Sequence, residues 1–365
     1  MPTLDGNEYS RDELLRKVGR LEQVAGVRLV TLGDAVERGV RVLEFRTGSG
    51  FEFDVLVDRA FDIGRCEQGG RPLAWTSRAG FAGPWFYEPS GLGFLRSFGA
   101  GLLTTCGLDH AFFPAEDTAE QYNYPAKPTE HYGLHGRISN RPGRLVGYGE
   151  RWEGDECVLY AEGEILQASV FGEQLLLRRR IDARVGESRL TIHDEVVNVG
   201  YERTPHMLLY HVNLGWPVVD DGAELLVPAT SVEALGDYPA DDYGRMHGPA
   251  TGYVEQVFVH QLVAEADSRV PVALVNRRLG LGAYQVFRQD QLPYHFIWRM
   301  LGEGTYVVGI EPATNPPSSR HDIRERGELG SLGAGESRSY ELELGALVGE
   351  AALDGFAGRV AGLLA

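Results

Sequence analysis

Cysteine is scarce in this chain, and histidine is missing from its first hundred residues. The three thiols, Cys66, Cys106 and Cys157, are odd in number, far apart and without a Cys-x-x-Cys pair. That argues against a disulfide framework or a zinc ribbon and for a reducing, cytoplasmic setting. Basic side chains are also few: 35 Lys and Arg against 52 Asp and Glu leave a formal charge of −17. A field of that sign repels phosphate backbones and anionic headgroups, so neither nucleic acid nor a membrane is expected as a partner. No apolar run approaches the ~18 residues of a membrane span. The opening Met-Pro-Thr-Leu-Asp-Gly-Asn-Glu has neither the basic nor the apolar region of an export signal, so a soluble, unexported chain is expected. Walker, complete Gly-x-Gly-x-x-Gly, Gly-x-Ser-x-Gly and kinase-like motifs are missing too, which removes nucleotide chemistry and serine hydrolysis.

What is present is strand pattern. A chain of 365 residues at 43% hydrophobic can bury a large core, and its 47 glycines lie between short apolar runs, where they mark turns. Period two dominates in Val27–Leu29, Phe51–Val57 and Leu190–Val196. Similar runs recur at Val158–Leu166, Gln174–Ile181, Pro205–Leu214, Val254–His260, Val272–Asn276, Ala283–Phe287, His295–Met300, Tyr306–Ile310 and Ser339–Leu344. Many short strands separated by Gly, Pro, Asp or Asn predict an all-β sandwich or barrel. Two helices are expected, at Ser10–Val18 with Ser10 as N-cap and in the tail from Glu350 to Ala365. The tail carries Leu353, Phe356, Val360 and Leu364 at helical steps and lacks a basic face, so docking on the body is expected. With no low-complexity linker and no fixed-period repeat, residues 1–365 read as one domain, its core at about 25–345. The longest stretch without strand character is Asp109 to Thr129, a loop by this reading.

All ten histidines lie at or beyond residue 110, and three later segments could carry chemistry. In His131-Tyr-Gly-Leu-His135-Gly136 the two imidazoles are four apart and would share a face of a strand or helix. Gly133 and Gly136 oppose a zincin-like helix, and no metal or other cofactor is expected; His135 suits a polar ligand or a structural role near a turn. In the strand through Tyr210-His211-Val212-Asn213, His211 and Asn213 share a face with Met207 and Leu209, opposite His206, Tyr210 and Val212. Polar groups there must bond to neighbours or line a cavity. In Gly309-Ile310-Glu311-Pro312 a carboxylate ends an apolar strand, where burial would raise its pKa into the range of a useful base. A salt bridge to Arg320 or Arg324 is the alternative.

Together these segments resemble the aldose 1-epimerase, or galactose mutarotase-like, superfamily. The likeness rests on Leu134-His135-Gly136, on Asn198 followed by Tyr210-His211-Val212-Asn213-Leu214, on Gly309-Ile310-Glu311 and on Gly335-Glu336-Ser337. Asp58-Arg-Ala-Phe-Asp62-Ile-Gly, Gly101 to Gly107, Tyr253 to Phe258 and Glu311-Pro-x-Thr-Asn315 are similar to a branch whose members mostly lack assigned substrates. The resemblance implies a large antiparallel β-supersandwich with short terminal helices, binding a small carbohydrate in a concave face, and a homodimer is compatible with it. It further implies Glu311 as the base that takes the anomeric proton and His211 as the acid for the ring oxygen, the two on opposite sides of the sugar. His135, Asn213 and Arg96 would bind substrate. The family's Asp-Phe-Arg tripeptide is missing, and Glu255 or Gln256 occupies a comparable interval. A mutarotase acting on a free monosaccharide is expected. The alternatives are a phosphosugar epimerase or other sugar isomerase, with Arg320, Arg324 and Arg326 more readily read as a solvated loop than as a phosphate clamp, and a non-catalytic sugar-binding protein.

Overall fold

The computed structural model describes residues 1–119 and 128–365. Two large antiparallel sheets dominate it. The first has 11 strands, running in space from Ala229–Ala234 through Gln256–Leu262, Tyr294–Gly302, Thr305–Ala313, Met207–Gly215, Leu103–Leu108, Asp62–Gln68, Phe51–Leu56 and Arg41–Arg46 to Gly26–Thr31, with Arg71–Pro72 paired to the side. The second has 8, running from Arg144–Glu153 through Glu156–Ala168, Gln174–Arg184, Arg189–Asn198, Ser337–Val348, Leu281–Arg288 and Arg269–Asn276 to Glu224–Leu226. This is the supersandwich architecture that the resemblance implies.

The alternation in the sequence becomes the layering. In Arg189–Asn198, Leu190, Ile192 and Val196 point inward, while Arg189 and His193 are exposed. They meet Leu208, Tyr210, Val212 and Leu214 of the larger sheet in one apolar cluster. Through it runs a buried polar bolt. Arg179 donates to both oxygens of Asp194 at 2.8 and 2.6 Å and to Asp62 at 3.1 Å, and the Tyr210 hydroxyl donates to Asp194 at 2.6 Å. Charges at that depth persist because each is paired and hydrogen-bonded.

Both expected helices form. The first is short, Arg11–Leu15, and has a full capping box in which Ser10 and Glu13 satisfy each other's backbone N–H. The tail helix, Glu350–Gly362, buries Leu353, Phe356 and Val360 against Ala273, Val275 and Leu347. Leu364 lies beyond it, exposed. The reading of 109–129 as a strandless loop is corrected: Ala115–Thr118 pairs with Thr129–Tyr132 as a hairpin. Residues 120–127, part of that expected loop, lie outside the described residues.

Candidate active site

Strand Met207–Gly215 is buried along its whole length because both of its faces are covered. Its even-numbered side chains join the cluster between the sheets, and Met207 and Leu209 join a separate cluster on the opposite face. His211 and Asn213 continue that second row. The antiparallel neighbour Thr305–Ala313 sets Leu209 against Ala313 and Val212 against Ile310, a register that brings Glu311 opposite His211. Nε2 of His211 lies 3.3 Å from Oε1 of Glu311, and both side chains are buried. One step along, Asn213 faces Gly309 and Gly309 faces Trp298. The missing side chain at 309 leaves room that the Glu311 carboxyl fills, its Oε1 2.5 Å from where a Cβ would stand.

Aromatic rings wall this pair. Phe98 and Trp298 each lie 5.4 Å from the His211 ring, centroid to centroid, and His135 stands perpendicular to it at 5.5 Å. Phe94 packs on His135 at 5.1 Å. His135 reaches this place from a tight turn in which its own φ is +58° and that of Gly136 is +69°. A Cβ on Gly136 would collide with the carbonyls of Gly107 and His110. The left-handed histidine is held by bonds from its N–H to Phe112 O at 2.7 Å and from Gly107 N–H to its carbonyl at 3.1 Å. A non-glycine residue strained in this way, and over-determined by its surroundings, is common at functional sites.

The walls set the electrostatics. Burial drives His211 down to about 4, with the Asn213 amide working the other way. It also drives His135 well below its ordinary value, helped by the neighbouring His211. Glu311 moves up to about 8, first through burial and then through the nearby Glu255 carboxylate. Among the described residues, His135 Nδ1, His211 Nδ1, Asn213 Oδ1 and Glu311 Oε1 are buried and make no hydrogen bond. Such groups cost on the order of 1–3 kcal/mol each while unmet. Donors and acceptors of this kind, gathered in one place, are of the chemistry that a polar ligand satisfies.

Of the residues expected to bind substrate, His135 and Asn213 are in this cluster. Glu255 is beside it, its Oε2 accepting from Trp298 Nε1 at 2.8 Å. Gln256 is not. Pairing sets Gln256 against Arg299 and Val257 against Trp298, so Gln256 points away from the site, and its Oε1 accepts from Arg299 and from the Tyr253 hydroxyl. Arg96 is exposed at the end of the short turn Gly93–Arg96, 3.3 Å from Glu88, while Phe94 and Phe98 on either side of it reach the histidines. His131 does not share a face with His135: it is exposed at the end of the hairpin, beside Glu116. His211 and Glu311, expected as proton carriers on opposite sides of a sugar, are side by side.

Two of the three arginines after the glutamate strand also depart from expectation, while Arg326 is exposed beside Glu328 as a solvated loop requires. Arg320 is fully buried, donating to Asp117 at 3.0 Å and to the carbonyl of Asp109, with its guanidinium 4.2 Å from the Tyr132 ring. Arg324 joins it on Asp117. They clamp the hairpin and are not a solvated loop. Trp298 and Phe98 were not singled out from the sequence, and Gly309 was read only as part of the segment that carries Glu311. Trp298 was within reach of the sequence, since period two from Phe296 puts both on the face of Glu311.

The fold is the galactose mutarotase-like one. A provisionally named aldose 1-epimerase from Klebsiella pneumoniae subsp. pneumoniae superposes with a TM-score of 0.85 at 22% identity, over 94% of this chain and 91% of that one. A galactose mutarotase-like protein from Clostridium acetobutylicum gives 0.59 at 13%, over 88% and 98%. Galactose 1-epimerase from Lactobacillus acidophilus NCFM gives 0.55 at 12%, over 89% and 99%. No curated protein matches the chain in sequence. Residues 37–346 match the family model described as a domain of unknown function, DUF4432, and the chain belongs to that family.

Proposed function

We propose that this protein is an aldose 1-epimerase that interconverts the anomers of a free monosaccharide, with Glu311 and His211 as its proton carriers. The observation that carries this is their buried 3.3 Å contact with opposite pKa displacements. Opening a cyclic hemiacetal takes a proton from the anomeric hydroxyl and delivers one to the ring oxygen. Both oxygens are bonded to one carbon, so adjacent carriers on one edge of the sugar suit the task. Between about 4 and about 8 the pair holds a single proton, the number that the exchange needs. In the free site burial favours the neutral pair, with the proton on Glu311. Its passage to His211, as substrate hydroxyls bond to the new carboxylate, yields base and acid without a change in net charge. Rotation about the bond next to the opened carbon and reclosure then invert the anomer.

His135 and Asn213 hold hydroxyls in this reading, Trp298 and Phe98 offer ring faces to the sugar's C–H groups, and residues 1–365 act as one unit. A free sugar is favoured over a phosphosugar because Arg320 and Arg324 are held by Asp117. NMR exchange spectroscopy on a panel of free and phosphorylated aldoses tests the reaction. Wild type should speed anomer interconversion of at least one free aldose, with Glu311→Gln and His211→Asn each slower by about 10²–10⁴-fold. Equal rates for all three proteins on every sugar would remove the proposal.

A further inference from the structure

The run Asp58-Arg59-Ala60-Phe61-Asp62 has no part in the proton chemistry, yet its geometry is unusual. It forms the turn between strands Phe51–Leu56 and Asp62–Gln68, with Ala60 and Phe61 both left-handed at φ +53° and +56°. Two carboxylates pin its ends. Asp58 accepts from the Arg41 backbone at 2.8 Å and from its guanidinium, and Asp62 accepts from the Thr105 hydroxyl at 2.6 Å and from Arg179. A turn strained in this way persists only where its surroundings dictate it.

What the turn presents is Arg59, which is almost wholly buried. Its two arms donate to backbone carbonyls, Nη1 to Ala82 at 2.6 Å and Nη2 to Ser97 at 2.9 Å. Those carbonyls bracket the segment 83–96, whose Trp85, Phe86, Leu92 and Leu95 are exposed and supply no core of their own. The segment is stitched to the His135 turn, with Leu134 N–H donating to Gly91 O at 2.9 Å and the Tyr87 hydroxyl to Gly136 O at 3.0 Å. Phe94 lies within it and Phe98 follows Ser97, and these are the two rings against His135 and His211.

We propose that Arg59 is a positioning residue: by gripping the segment 83–96 at both roots it sets Phe94 and Phe98 against the site's histidines and keeps water from them. A planar fork is needed to reach two carbonyls at once, which a lysine ammonium does not offer. The inference rests on the site described above and not on the identity of the sugar.

The test is an NMR pH titration of the His211 ring, assigned by its loss in His211→Asn, in wild type, Arg59→Lys and Arg59→Gln. The charged or titratable groups around His211 are Glu311 on the adjacent strand, His135 on its turn and Glu255 behind Trp298, and none of them is altered. Loosening the wall should admit water to the imidazole and raise its titration midpoint by about one pH unit or more toward the ordinary 6.5. The acid limb of kcat/KM should move with it, a shift that loss of folded protein alone would not cause. A folded variant with the midpoint of wild type overturns the inference. So does failure of both variants to fold, which would make Arg59 a core group. If the midpoint moves while no sugar is turned over by wild type, the proposed reaction fails and this inference stands.

Discussion

At Gly309 an added methyl group would lie 2.5 Å from Glu311 Oε1 and 3.2 Å from His211 Cε1. The backbone there is ordinary strand, so Gly309→Ala should fold, with the new methyl pushing the two carriers apart. A fall in kcat of ten-fold or more, with a shift in urea midpoint too small to account for it, is the expected result. Exchange spectroscopy beside urea unfolding measures both. Glu255 allows a second test at this scale. Its negative charge helps to hold Glu311 at about 8, so Glu255→Gln should lower that value and move the alkaline limb of kcat/KM downward. An unmoved limb would show that burial alone sets it. Period two and the family motifs made His211 and Glu311 readable. The difference between Glu255 and Gln256 was not, because only pairing with Trp298 says which face looks at the site. What Arg59 and Phe98 hold was unreadable for a related reason: their partners are far away in sequence.

Elements were readable in proportion to how unequal their two faces are. Arg189–Asn198 alternates cleanly between core and solvent, and its pattern was plain. Arg144–Glu153, at the edge of the smaller sheet, is half-exposed throughout, and its Leu145, Val146, Tyr148 and Trp152 are interrupted by two glycines and a register shift, so no buried face stands out and it was not foreseen. The hairpin Ala115–Thr118 with Thr129–Tyr132 is polar and is held by its clamp on Arg320 and Arg324. The tail helix gives this scale its prediction. Leu353 is fully buried under it, and Leu353→Ala should cost about 2–5 kcal/mol in urea unfolding. Below the transition, turnover should stay unchanged, because the helix lies on the smaller sheet and the site on the larger.

Over the whole molecule the buried imidazoles govern response to acid. His110, His206 and His211 are each pulled down to about 4 and His260 to about 3, while His135 and His295 are lowered as well. Burial is the leading cause throughout. A group moved from 6.5 to about 4 contributes on the order of 3 kcal/mol above pH 6.5, lost progressively as pH falls toward the folded value, because the unfolded chain takes the proton first. Four buried carboxyls among the described residues oppose this. Asp54 is raised, Asp62 moves to about 6, Glu173 to about 7 and Glu311 to about 8. Their contribution is full below the ordinary carboxyl range and is lost as pH rises through those values. Six imidazoles outweigh four carboxyls on the acid side, so stability should peak at about pH 7 and fall below about 6.5. Urea midpoints across pH 4.5 to 9 measure it, and a midpoint that rises steadily into acid would contradict the account.

Trp298 meets the site at two places, its ring against His211 and its N–H on Glu255. An imidazolium quenches a neighbouring indole far more than a neutral imidazole does. The site therefore contains its own optical reporter: the emission lost in Trp298→Phe, subtracted from that of wild type, tracks the proton on His211. Added sugar that moves this proton from Glu311 should dim that difference signal, so the panel of aldoses can be screened by light before any anomer is resolved.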